Sequence, residues 1–221
     1  MMHLEFLVEE PSAEAALRNL VPKILGENVS FAIHPHQGKQ DLLKKLPGRL
    51  RGYRLWLPSD YCIVVLIDND CGDCTALKET VENHATCAGL RTKSRTNTGR
   101  AFQVLTRLAM EELEAWFLGD AEALHAAYPR LSWNLAKQAR FRYPDAIRGG
   151  TWEALERLLQ KAGYYRGGMP KIEVARNVSE RMKPEYNRSR SFSVFRDGLL
   201  KIPQRGDSPN PSPESSAFPR L

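Results

Sequence analysis

Two acidic residues stand directly after the most apolar stretch of the chain: Asp68 and Asp70, in Asp68-Asn69-Asp70, follow Cys62-Ile63-Val64-Val65-Leu66-Ile67. A third, Glu9, follows Leu4-Glu5-Phe6-Leu7-Val8. Residues two apart in an extended segment face the same side, so Asp68 and Asp70 share one crevice if the strand continues through them. In open α/β sheets ligands bind beyond the carboxyl ends of the strands, where Glu9 would also lie. Converging carboxylates raise one another's pKa unless a cation sits among them. Mg²⁺ and Mn²⁺ are hard ions that favour oxygen donors. Such an ion neutralises charge on a phosphate and activates water. The expectation is a site for Mg or Mn built from Glu9, Asp68 and Asp70. The competing reading is capping: Asp70 or Asp73 for the helix that follows, Glu9 for the first helix.

Other reactive groupings are weaker. Cys71-Gly72-Asp73-Cys74 follows a strand and opens a helix, the placement of a thioredoxin redox motif. Asp68 and Asp70 would raise the pKa of those thiols, and no proline follows in the place such a fold needs. Zinc would need Cys71, Cys74, His84 and Cys87, yet the last two fall within the same helix, well over a turn away. Gly38-Lys39 lies in a polar loop without the glycine spacing of a P-loop, and reads as surface. Glu111, Glu112 and Glu114 are strong helix formers in a first turn, where acids suit the macrodipole. Trp116 and Phe117 read as core. Lys171 opens a helix, where its charge opposes the dipole, which hints at a site role.

The elements that must position these residues alternate in type. Strands are expected at 4–8, 29–33, 62–67 and 102–105, the last ambiguous because the run to Met110 also reads as helical. Helices are expected from a Ser12 cap to Val21 with Pro22 as the limit, from Asp41 until Pro47-Gly48, and over 75–88. This alternation implies βαβ units and an α/β fold with a mostly parallel sheet of about four strands flanked by helices. After Met110 the pattern is helical only: 111–118, 151–163, 170–182 and 191–200. The organisation read from this is a core over 1–120, a helical extension over 121–202 packed on it, and a disordered tail over 203–221 with five prolines.

Length and charge bound the reading. A chain of 221 residues with 42% hydrophobic residues can bury a real core. No apolar run approaches the ~20 residues that span a bilayer. The N-terminus lacks a basic, apolar leader, so the expected address is cytoplasmic and the four cysteines are expected to be reduced. The formal charge of +6 is compatible with a polyanion. The excess is concentrated between Arg140 and Arg205, where Arg and Lys either solvate helices or meet phosphate.

Val8-Glu9-Glu10-Pro11-Ser12-Ala13-Glu14 and Ile67-Asp68-Asn69-Asp70 resemble the first two motifs of the Toprim fold of topoisomerases, primases and overcoming-lysogenization-defect nucleases. Over residues 3–200 the chain is more similar still to bacterial domain-of-unknown-function family 4276, regarded as Toprim-like. The stretches that carry this are Gly38-Lys39-Gln40-Asp41-Leu42-Leu43, Glu111-Glu112-Leu113-Glu114-Ala115-Trp116, Lys171-Ile172-Glu173-Val174-Ala175 and Ser191-Phe192-Ser193-Val194-Phe195. The resemblance implies a Toprim-like core and a metal-dependent nuclease acting on nucleic acid, DNA or RNA, possible in phage defence with an ABC-like ATPase partner. It implies that Glu9, Asp68 and Asp70 hold metal, that Glu111 or Glu112 completes the shell or positions water, and that Lys171 stabilises phosphate charge. Two departures stand out: Glu10 replaces the usual glycine, and Ala13 the second glutamate. They support the alternative of a non-catalytic Toprim-like subunit that binds nucleic acid or an ATPase.

Overall fold

The computed structural model describes residues 2–70, 72–97 and 100–202. Four strands form one sheet: β1 (His3–Val8), β2 (Ser30–Pro35), β3 (Tyr61–Asp68) and β4 (Val104–Ala109). Their order is β2-β1-β3-β4 and every pairing is parallel. Parallel neighbours need crossovers, supplied by α1 (Pro11–Leu25), α2 (Lys39–Trp56) and α3 (Cys74–Cys87). The fold is the expected α/β class, with the sheet parallel throughout.

The period of two sorts each strand between two apolar layers. On β3, Cys62, Val64 and Leu66 face one cluster, and Ile63, Val65 and Ile67 face the other. Burial on both faces is why this strand is continuously apolar. The layer behind Leu7, Ile63 and Val65 is closed by Leu42, Leu46 and Leu50 of α2 and Val81 of α3. The opposite layer is closed by α1 and the helical half: α4 (Glu114–Gly119), α5 (Ala121–Ala127), α6 (Thr151–Lys161), α7 (Lys171–Ser179) and α8 (Arg190–Leu200). Trp116 sits in its middle, fully buried, with ring centroids 5.2 Å from Phe192 and 4.8 Å from Phe195. Its indole N–H donates to Ser191 Oγ at 3.0 Å. Trp116 and Phe117 are core, as their setting in the sequence indicates.

Several boundaries differ from the sequence reading. Neither proline ends its helix: α1 runs through Pro22 and α2 through Pro47. Each proline removes one ladder bond. The buried stripe Leu42, Leu46, Leu50, Tyr53 continues past Pro47 and outweighs that loss. Ser12 does not cap α1; Glu10 is the N-cap residue and Pro11 takes the first turn. The ambiguous run at 102–110 is strand to Ala109, and α4 begins only at Glu114 because Glu111 turns the chain at φ 60°. The expected disordered tail, 203–221, and Cys71 of the CxxC motif lie outside the described residues. Cys62, Cys74 and Cys87 are free thiols. Among the described residues no helix is long and apolar enough to cross a membrane.

Candidate functional site

The acids gather where β1, β3 and β4 end. Asp68 is the last residue of β3 and is buried. Its N–H donates to Glu9 Oε2 at 3.1 Å, which ties the end of β1 to that of β3. The β1–α1 turn is tied in turn to the start of α2, because Gly38 N–H donates to Glu9 O at 3.0 Å. Gly38 adopts φ 92°, a conformation that favours glycine, and so starts α2 with Lys39 facing the acids.

Asp70 does not follow Asp68 in extended geometry. The strand stops at Asp68, Asn69 N–H bonds to Ala109 O, and Asp70 turns at φ 47° with its N–H on Glu111 O at 2.8 Å. Asp70 is therefore exposed, and its carboxylate pairs with Lys39 Nζ at 2.6 Å. The loop lysine read as surface is thus a partner of the site. The helix after β3 is capped by Asp73, whose Oδ1 accepts from Thr75 N and Ala76 N. That settles the capping question in favour of Asp73.

The three acids after β4 divide. Glu111 contributes its carbonyl to the Asp70 turn. Glu112 Oε2 accepts from Thr151 Oγ1 at 3.0 Å and Trp152 N at 2.7 Å, so it satisfies the first turn of α6. Glu114, set aside as a helix former, is the one carried inward: it is buried, and its Oε2 has no hydrogen-bond partner among the described residues. The sequence does hold a signal for it. Leu113, Ala115, Trp116, Phe117 and Leu118 surround it in the chain and are all buried, so a glutamate among them is out of place unless it serves a site.

Lys171, the first residue of α7, joins the cluster from the helical half. Its Nζ lies 3.4 Å from Glu10 Oε1 and 4.7 Å from the centroid of the Trp152 ring. The opposed helix dipole is offset by the carboxylates around it.

Burial and mutual repulsion govern the protonation of this group. Asp68 is pushed well above the usual carboxylate range by burial first, then by Glu114, Glu9, Glu10 and Asp70. Burial raises Glu114 to about 7 against the pull of Lys171. Glu9 is raised by burial, offset in part by the Asp68 N–H, with Asp70 adding to the rise. Burial works to lower Lys171, but Glu114, Glu10 and Glu112 outweigh it and leave the ammonium raised. The site is an acidic cluster whose buried members, Asp68 and Glu114, are biased toward the protonated form, with Lys39 paired to Asp70 and Lys171 beside Glu10. Among the described residues no three His, Cys, Asp or Glu side chains stand in an arrangement that holds a metal ion as placed.

The DUF4276 family model, a domain of unknown function, matches residues 8–200. The chain belongs to the DUF4276 family. Every residue of the pocket from Glu9 to Lys171 falls within the DUF4276 match. No curated protein and no solved structure matches the chain.

Proposed function

We propose that this protein is a nuclease that hydrolyses phosphodiesters of nucleic acid with Mg²⁺ or Mn²⁺. The observation that carries the reading is the buried pair Asp68 and Glu114, with Glu114 Oε2 unpartnered, at the carboxyl ends of parallel strands. Two buried carboxyls that repel are costly unless a cation joins them or protons stay on. The donors are all carboxylate oxygens, the chemistry hard divalent ions take. The chemistry of the donors suits the ion, and Asp68, Glu9 and Glu114 would hold it once their carboxylates close from the placement seen here, in which no three of them stand ready for it. When bound, the ion neutralises phosphate charge and lowers the pKa of a water.

The chain's own groups supply the rest. Lys171, held between Glu10 and Trp152, binds a non-bridging oxygen of the phosphate. Lys39 holds Asp70 at the rim and keeps it out of the pocket until a ligand competes for one of them. The order of Glu9, Asp68 and Asp70 along the chain, similar to that of Toprim nucleases, supports the same reading. By the same resemblance, its partner would be an ABC-like ATPase in cytoplasmic phage defence.

One observation favours a second reading. Lys39 and Lys171 already balance part of the acidic charge, so a non-catalytic subunit that binds nucleic acid or an ATPase would keep the same pocket. A single assay separates the two. Labelled single- and double-stranded DNA and RNA are incubated with the protein, Mn²⁺ and ATP, with and without an ABC-like ATPase encoded beside it. Cleavage by wild type that is lost in Asp68→Ala and in Glu114→Gln supports the nuclease. If wild type and Asp68→Ala give the same products in every combination, the nuclease reading fails and the binding subunit replaces it.

A further inference from the structure

The connection between α5 and α6 covers residues 128–150 and contains three short 3₁₀ turns, Leu135–Lys137, Ala139–Phe141 and Pro144–Ala146. It is firmly seated. Leu131, Leu135, Phe141, Pro144 and Ile147 are buried and fix it to the body of the protein. Asp145, the only acid between Tyr128 and Gly150, is turned inward: its oxygens accept from Ser189 Oγ at 2.8 Å, Ser191 Oγ at 2.6 Å and Arg190 N at 2.6 Å.

What remains outside is basic and aromatic. Between the anchors, Lys137, Arg140, Arg142 and Arg148 are exposed, and none has an ion-pair partner among the described residues. Trp133 is 71% exposed and Tyr143 70% exposed. Large rings held open on a seated, ordered segment are unusual, because burying either would be favourable. The Trp133 ring is held from one side by His125, with centroids 3.8 Å apart. The segment also leads to the acidic pocket: Arg148 is followed by Gly149 and Gly150, at φ 80° and 82°, and then by Thr151 and Trp152 on Glu112.

We infer that the 128–150 segment is a binding surface for single-stranded nucleic acid. Cations follow a phosphate backbone, and open aromatic rings stack on bases, which only an unpaired strand presents. This inference deepens the nuclease reading by naming the substrate class, and rests on that reading for its consequence in cleavage. The binding itself needs no metal. Trp133 and Tyr143 take bases, Arg140 and Arg142 take the phosphates between them, and Arg148 directs the strand toward Lys171.

The test is fluorescence anisotropy with a fluorescein-labelled 20-nucleotide oligo-dT or oligo-U in EDTA, over a salt series. Wild type should bind the single strand in preference to the matching duplex and show quenching of Trp133 fluorescence. Trp133→Ala and Tyr143→Ala should each weaken binding roughly tenfold, and Trp133→Phe should restore most of the loss. The double variant Arg140→Ala/Arg142→Ala should lower the slope of log K against log salt by about 1.4. Absence of saturable single-strand binding would overturn the inference. So would affinity unchanged in both aromatic variants, or a duplex bound as tightly as the single strand. EDTA keeps the outcomes apart: binding without later cleavage counts against the nuclease alone, and cleavage without this binding counts against the surface alone.

Discussion

Replacing Glu114 with glutamine should stabilise the protein above neutral pH and leave its stability unchanged near pH 4. Glu114 is buried, Oε2 is without a partner among the described residues, and its folded pKa is pushed up to about 7 from an ordinary 4.5. Below pH 4.5 the carboxyl is protonated in both folded and unfolded chains, and the glutamine is its neutral equivalent. Between 4.5 and about 7 the unfolded chain releases the proton while the folded chain keeps it, so stability falls as pH rises. Above that window the folded carboxylate is charged and poorly solvated. A rise from 4.5 to about 7 corresponds to about 3 kcal/mol at 1.36 kcal/mol per unit. The interaction with Lys171 is already contained in that shift. Thermal and urea melts of wild type and Glu114→Gln in EDTA from pH 4 to 9 measure the difference. For a chain of 221 residues the variant should melt about 6–12 °C higher at pH 8. Adding Mn²⁺ should narrow the gap by stabilising the charged form in wild type only. A difference that does not vary with pH, or a wild type more stable than the variant at pH 8, would refute the assignment of Glu114 as a buried titrating acid.

Two further outcomes follow from the same geometry. Glu112→Ala leaves the first turn of α6 without the acceptor for Thr151 and Trp152, and should cost about 1–2 kcal/mol in a urea melt, with far less effect on cleavage than Asp68→Ala. Burial pushes the Cys62 thiol up to about 12, so native protein treated with a thiol reagent at pH 8 should leave Cys62 unmodified while exposed Cys87 reacts, as peptide mass mapping would read.

The sequence by itself determined the sheet and the rim of the site. Period-two and continuous apolar runs are local properties, and they located β1, β2, β3 and the acids at the ends of β1 and β3, while the run that holds β4 stayed ambiguous with helix. The capping role of Asp73 is equally local, since an N-cap needs only its own next residues. Helices that run through Pro22 and Pro47 were not legible, because the apolar stripes that sustain them are satisfied only by distant partners. The site shows the same division. Glu9 and Asp68 announce themselves by position after a strand, whereas the roles of Glu112 and Glu114 depend on contacts across the chain. Glu112 reaches α6 about forty residues away, and Glu114 gains its unusual proton affinity from burial, which outweighs the pull of Lys171. Asp70 shows the limit of spacing rules most simply. Two residues apart means one face only while the backbone stays extended, and a turn at φ 47° carried Asp70 to Lys39 instead. Periodicity is written in the chain; desolvation and long-range charge pairing exist only once the chain has folded around them.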